Sequence, residues 1–146
     1  MEFAMTLIRH PLAPEPALTP AQRPLARAMT EAALQQAVIE CAKTLGWVVR
    51  HIRDSRRQNA EGLPDLLLLH PRQRRVLWAE LKREKGTMSL EQDLVIDALL
   101  ECGQMVYLWR PSDWLSGGIE RVLRSGTAVR IEEVLAFHKA GGKGRP

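Results

Sequence analysis

Three ionisable residues stand at the ends of two apolar runs. Asp65 opens Asp65-Leu66-Leu67-Leu68-Leu69, and Glu80 and Lys82 close Val76-Leu77-Trp78-Ala79-Glu80-Leu81-Lys82. Charges in such a setting are costly unless they are paired or bound to a metal. Side chains two apart on a strand share a face, so Glu80 and Lys82 point the same way. A turn centred between Arg72 and Gln73 sets Asp65 directly opposite Glu80, with their Cβ atoms about 4.5–5.5 Å apart. Two carboxylates that close repel each other unless a cation lies between them. Carboxylate oxygens suit Mg²⁺ or Mn²⁺, and the backbone carbonyl of Leu81 offers one more oxygen. Lys82 then faces the same water and phosphate. It can orient or help deprotonate an attacking water, or stabilise charge developing in the transition state, while the metal supplies the nucleophile and neutralises charge. An isolated Glu-x-Lys is an ordinary edge-strand ion pair. The combination here is rarer: Gly62-Leu63-Pro64-Asp65 before an apolar strand, a short turn, and a second apolar strand carrying Glu80-Leu81-Lys82.

The elements that must position these residues are legible in the surrounding pattern. Thr30 is a candidate N-cap, and Leu34, Val38, Cys41 and Leu45 recur at helical spacing until Gly46. Trp47 to Ile52 reads as a strand and the polar stretch Arg53 to Gly62 as a loop. Pro64 opens the next strand, whose lack of a polar face predicts burial on both sides. His70 to Arg75 forms the turn of a hairpin, and Val76 to Lys82 its second strand. Ser89 caps a helix whose Leu90, Leu94, Ile96, Ala98 and Leu99 supply apolar contacts as far as Gly103. Met105 to Trp109 is a fourth strand. Pro111 and Ser112 begin a short helix with Leu115, Ile119 and Val122 on one face, weakened by Gly117 and Gly118. The order α-β-β-β-α-β predicts an α/β fold with one mixed sheet of about four strands flanked by helices.

Outside that core, residues 1–28 carry five prolines and no periodic apolar pattern, which predicts an irregular arm. Residues 29–125 form the domain. Residues 126–146 are a C-terminal extension, with a short helix around Glu132 to His138 and a mobile Gly141-Gly142-Lys143-Gly144 end. A chain of 146 residues accommodates one domain with a hydrophobic core. No apolar run reaches the roughly 20 residues of a membrane span, and no signal-peptide pattern opens the chain, so an intracellular protein without membrane contact is expected. Cys41 and Cys102 have no partners at metal-ligand spacing and read as buried free thiols. The net charge of +4 and the pI near 9.5 lean towards a polyanionic partner. The basic residues form three clusters flanking the residues above: Arg50, Arg53, Arg56 and Arg57; Arg72, Arg74 and Arg75; Lys82, Arg83 and Lys85.

Pro64-Asp65 followed by Glu80-Leu81-Lys82 resembles the PD-(D/E)xK signature of nucleases with the restriction-endonuclease-like fold. Glu31 and Gln35 in the first helix, Gly46-Trp47, Gly62-Leu63-Pro64-Asp65, Glu80-Leu81-Lys82, and Ser89 with Gln92 resemble more specifically the VRR-NUC (virus-type replication-repair nuclease) branch. The resemblance spans roughly Thr30 to Arg110. It implies a Mg²⁺- or Mn²⁺-dependent deoxyribonuclease acting in DNA repair, bacterial or phage-encoded and cytoplasmic. Small stand-alone members suggest a homodimer that cuts branched or junction DNA. The resemblance also implies that Glu31 reaches the metal from the first helix, whose dipole alone would favour an acid there. It implies a catalytic role for Gln92, at the scissile phosphate or the Lys82 amine; a solvated or capping glutamine is the alternative.

For such a substrate, Arg50, Arg53, Arg56, Arg57, Asn59 and Lys85 are the candidate DNA contacts, since positive and amide side chains hold phosphates. His51 and His70 have no spaced partner and read as surface or loop residues. Trp78 and Trp109 read as core, not as base-stacking platforms. Two other classes compete with an enzyme. A catalytically inactive nucleic-acid-binding module on the same fold would have no physical need to bury the three central charges. A partner-binding protein using the proline-rich arm would leave the basic clusters as solvated surface.

Overall fold

The computed structural model describes residues 17–52 and 61–125. Within them the chain forms α1 (Gln22–Ala28), α2 (Glu31–Thr44), β1 (Val48–His51), β2 (Leu66–His70), β3 (Arg75–Leu81), α3 (Leu90–Glu101), β4 (Met105–Trp109), α4 (Pro111–Leu115) and α5 (Gly118–Arg124). The four strands make one sheet in the order β1-β2-β3-β4. β1, β2 and β3 are antiparallel neighbours, and β4 joins β3 in parallel through the α3 crossover. This is the mixed α/β sheet flanked by helices that the element order predicts.

Each face of the sheet has its own packing. Leu66 and Leu68 on β2, Leu77, Ala79 and Leu81 on β3, and Tyr107 and Trp109 on β4 join Leu34, Val38 and Ala42 of α2 and Ile119, Val122 and Leu123 of α5 in the main core. On the other face Val106, Trp78 and Leu108 pack with Ile96, Leu99 and Leu100 of α3. Burial of this apolar surface, at about 25 cal/mol per Å², is the main force holding the helices to the sheet. Local signals fix where the helices begin. The Thr30 hydroxyl accepts from the Ala33 N–H at 3.1 Å, and Ser89 and Gln92 form a reciprocal capping box at the start of α3.

Several expectations are corrected. Residues 22–28 of the arm are helical. Thr19 and Gln22 bond reciprocally, side chain to backbone, at 2.9 and 3.3 Å, Ala26 is buried, and Pro24 is tolerated because it lies in the first turn. β2 is not buried on both faces: Leu66, Leu68 and His70 are buried while Leu67 and Leu69 are half-exposed, because only one face of this strand meets the main core. In α3 the apolar contact comes from Ile96, Leu99 and Leu100, while Leu90 and Leu94 are 71 % and 56 % exposed. The helix predicted after Pro111 is two helices, separated where Gly117 takes a left-handed φ of 83°. Cys41 is half-buried and Cys102 is exposed. The short helix and mobile end expected beyond residue 126 lie outside the described residues.

His70 is a buried residue of the fold, not a surface one. The Gln73 N–H donates to its Nδ1 at 3.2 Å, which leaves Nε2 as the donor to the Leu45 carbonyl at 3.0 Å. Trp47 packs edge-on against it at 5.1 Å, and Arg75 lies 5.1 Å over the Trp47 ring. Arg75 also donates to the Ser125 carbonyl at 3.0 Å. The basic cluster Arg72, Arg74 and Arg75 therefore sits at the turn of the hairpin. The length of β2 separates it from Asp65 and Glu80, so it does not flank them.

Candidate active site

The hairpin register places the acidic residues. Leu66 pairs with Ala79, Leu67 with Trp78 and Leu68 with Leu77, so one further step sets Asp65 across from Glu80. The ladder ends there in an unusual way. Asp65 Oδ2 accepts the Leu81 N–H at 2.8 Å, so a side-chain oxygen takes a place that a strand carbonyl would hold. On its other side the Asp65 carbonyl accepts the Ile52 N–H at 2.9 Å, and the Lys82 N–H reaches Trp109 O at 3.1 Å. Asp65, Glu80 and Lys82 are thus held at one end of the two central strands by bonds to both flanking strands.

Gly62 explains the turn into Asp65. Its φ is +88°, and a Cβ there would lie 2.5 Å from the Glu91 carbonyl oxygen and 2.7 Å from Val95 Cγ2. Only glycine allows the segment before Pro64 to pass this close to α3.

Glu80 is fully buried. Gln92 Nε2 donates to its Oε1 at 3.2 Å, and Lys82 Nζ lies 3.8 Å from the same oxygen. Oε2 has no hydrogen-bond donor among the described residues. Burial first, and then the Asp65 carboxylate beside it, push the Glu80 carboxyl up to about 9; Lys82 opposes the rise and Glu31 adds to it. Glu31, half-buried at the start of α2, is raised by burial and lies within the fields of Lys82, Asp65 and Arg83. The structure therefore brings the charges of Glu31 on α2, Asp65 just before β2, Glu80 on β3 and Lys82 just after it within range of one another.

Gln92 has a different partner from the one expected. Its amide oxygen accepts the Ser89 N–H at 2.9 Å, completing the cap of α3, and its nitrogen holds Glu80, not the Lys82 amine. Gln35, one turn after Glu31, lies 3.4 Å from His51 Nδ1. Arg50 is exposed and its Nη1 donates to the carbonyl of its own neighbour Val49 at 2.9 Å. Arg53, Arg56, Arg57 and Asn59 lie outside the described residues.

Two residues that shape the site escaped the sequence reading. Arg110 Nη1 donates to the carbonyls of Arg83, Glu84 and Gly86 at 2.7, 3.1 and 2.7 Å, clamping the loop that leaves Lys82. The Glu84 carboxylate in turn accepts the Ser112 N–H at 2.9 Å. Arg27, on the unforeseen α1, lines a cavity with Arg83, Glu84, Lys85 and Gly86. The Thr19-x-x-Gln22 spacing was the available signal for that helix; an arginine that binds three carbonyls leaves no pattern in one sequence.

A profile of the VRR-NUC domain matches residues 6–112 of the chain. The chain belongs to the VRR-NUC family. A solved structure described as a VRR_NUC domain is similar in fold, with a TM-score of 0.52 and 24 % identity, over 63 % of this chain and 97 % of that one. No curated protein matches the chain. The VRR-NUC family is nuclease-related, which supports a nuclease as the class of activity. Among the described residues no helix is long and apolar enough to cross a membrane.

The site residues of this VRR-NUC domain fit a hard divalent cation. Two facing carboxylates share one end of the sheet, and the buried Glu80 Oε2, beside another carboxylate and without a donor among the described residues, is an oxygen that a cation would satisfy. Among the described residues no three His, Cys, Asp or Glu side chains form a ready-made cage. The remaining ligands would be a backbone carbonyl, water and substrate phosphate, as is usual for Mg²⁺.

Proposed function

We propose that this protein is a Mg²⁺- or Mn²⁺-dependent deoxyribonuclease that hydrolyses phosphodiester bonds. The observation that carries the reading is the buried Glu80 carboxylate facing Asp65, with Lys82 3.8 Å away and one Glu80 oxygen left without a donor. Asp65 and Glu80 would hold the metal, with the Leu81 carbonyl as a further oxygen ligand and Glu31 adding negative charge from α2. The metal, when bound, supplies a lowered water pKa and neutralises phosphate charge. Asp65 is kept in place by the Leu81 N–H, and Glu80 by the Gln92 amide. Lys82 lies beside Glu80, where it would orient the attacking water and meet negative charge growing on the phosphate. Gln92 is a positioning residue in this scheme.

Basic side chains would hold the strand: Lys85, Arg50 and the arginines and asparagine of 53–59. Family membership supports DNA as the substrate, and a homodimer acting on branched or junction DNA in repair is the form the proposal takes. The test is incubation of the full chain with labelled linear, flap and four-way-junction DNA in Mg²⁺, Mn²⁺ or EDTA. Cleavage that requires metal and is fastest on the branched substrates is expected. Binding without cleavage under every condition would instead establish an inactive nucleic-acid-binding module. No binding even at low salt would overturn both.

A further inference from the structure

Beside the carboxylate cluster, a cavity of about 380 Å³ is lined by Arg27, Arg83, Glu84, Lys85 and Gly86. It joins the C-terminal end of α1 to the loop between β3 and α3, begins one residue after Lys82, and borders the acidic site through Arg83, whose charge acts on Glu31. Its three cations are exposed, and among the described residues none has an ion-pair partner. The one acidic residue in the lining has its Oε2 engaged by the Ser112 N–H at 2.9 Å. The wall is also held in shape. Arg110 bonds three carbonyls of residues 83–86, so Arg83 and Lys85 are presented from a fixed backbone instead of a loose loop. Unpaired cations gathered around a preformed hollow are an arrangement for an anion, and an anion next to this site is a phosphate.

We propose that this cavity is a second phosphate-binding subsite, in which Arg27, Arg83 and Lys85 hold a nucleic-acid phosphate other than the one facing Lys82. The inference rests on the nuclease reading for the identity of the ligand, but binding can be measured without cleavage. The ligand chemistry is a phosphate, whether an internal diester or the monoester at a strand end. A fluorescein-labelled 20-base-pair duplex, with 5′-hydroxyl or 5′-phosphate ends, is titrated in EDTA over a range of salt with wild type, Arg27→Gln/Lys85→Gln and Arg72→Gln/Arg74→Gln. The last pair removes the same charge at the distant hairpin turn.

The pocket variant is expected to weaken binding about tenfold or more near 0.1 M salt and to reduce the slope of log K against log salt by roughly two, one per lost phosphate contact. The turn variant should change neither by as much. A 5′-phosphate preference that disappears in the pocket variant assigns the subsite to a strand end; equal binding of both duplexes assigns it to an internal diester. Equal effects of the two double variants, or none from the pocket variant, would overturn the inference. If wild type cuts DNA while the pocket variant binds normally, the nuclease reading survives and the subsite falls. Pocket-dependent binding without metal-dependent cutting gives the reverse.

Discussion

The side chain of Asp65 ends the β2–β3 ladder by accepting the Leu81 N–H at 2.8 Å. This bond ties the segment that follows Gly62 to the strand that carries Glu80 and leads into Lys82, and it fixes one Asp65 oxygen. Asparagine can keep the same bond through its amide oxygen but loses the charge. Asp65→Asn should therefore retain wild-type thermal stability within about 1 kcal/mol and lose metal affinity, whereas Asp65→Ala should lose both. Thermal melts beside Mn²⁺ titration calorimetry read the difference.

Gly62→Ala tests how that aspartate is delivered. A Cβ 2.5 Å from the Glu91 carbonyl, at a φ of +88°, cannot be absorbed by moving one flexible side chain. The variant is expected to lose about 2 kcal/mol or more in denaturant unfolding. The substitution lies three residues from Asp65, so any folded protein should also bind Mn²⁺ more weakly. Gly103→Ala is the comparison: that glycine also has a positive φ, but its Cβ would meet nothing within 4 Å.

Gln92 joins two tasks that substitution can separate. Gln92→Ala removes the cap of α3 and the donor to Glu80, and should cost about 1 kcal/mol or more. Gln92→Glu preserves the capping-box chemistry but sets a third carboxylate against Glu80. It should keep the helix, measured by circular dichroism, and lose stability as pH rises unless Mn²⁺ is added.

A pH dependence follows from Glu80. Burial and Asp65 hold its carboxyl up to about 9 in the fold, against about 4.3 when the chain is unfolded. Between these values the native state binds more protons, so the contribution of this group to metal-free stability is present below about 4.3 and declines as pH rises towards 9. Glu80→Gln should therefore melt higher than metal-free wild type at pH 9, by a margin that shrinks towards pH 5. Because the cation takes the place of the proton, Mn²⁺ binding at pH 7 should release close to one proton, and apparent affinity should rise up to about tenfold per pH unit below 9. Calorimetry in buffers of different ionisation enthalpy measures that release.

The elements that the sequence made legible were those with strong local signals. Thr30 and Ser89 are caps with apolar periodicity behind them, and the hairpin register followed from the short turn between two apolar strands. That register was enough to oppose Asp65 and Glu80. The misreadings concern surfaces whose surroundings one sequence does not contain. Leu90 and Leu94 satisfy helical periodicity but face away from the sheet, and His70 is buried because Leu45, Trp47 and Gln73, distant from it or beyond a turn, close around it. The Gln92–Glu80 bond and the Arg110 clamp join residues 12 and more than 20 positions apart. Such contacts depend on the crossover between β3 and β4, not on any local pattern.

The central claim is that Asp65, Glu80 and Lys82 form a metal-dependent hydrolytic site, and single-turnover cleavage of a labelled DNA junction in Mn²⁺ tests it most directly. Wild type should cut only with metal present. Asp65→Asn and Lys82→Ala, each confirmed as folded, should cut at least about 100-fold more slowly, with Lys82→Ala still binding Mn²⁺. Metal-dependent cutting at the wild-type rate in either variant would contradict the assignment.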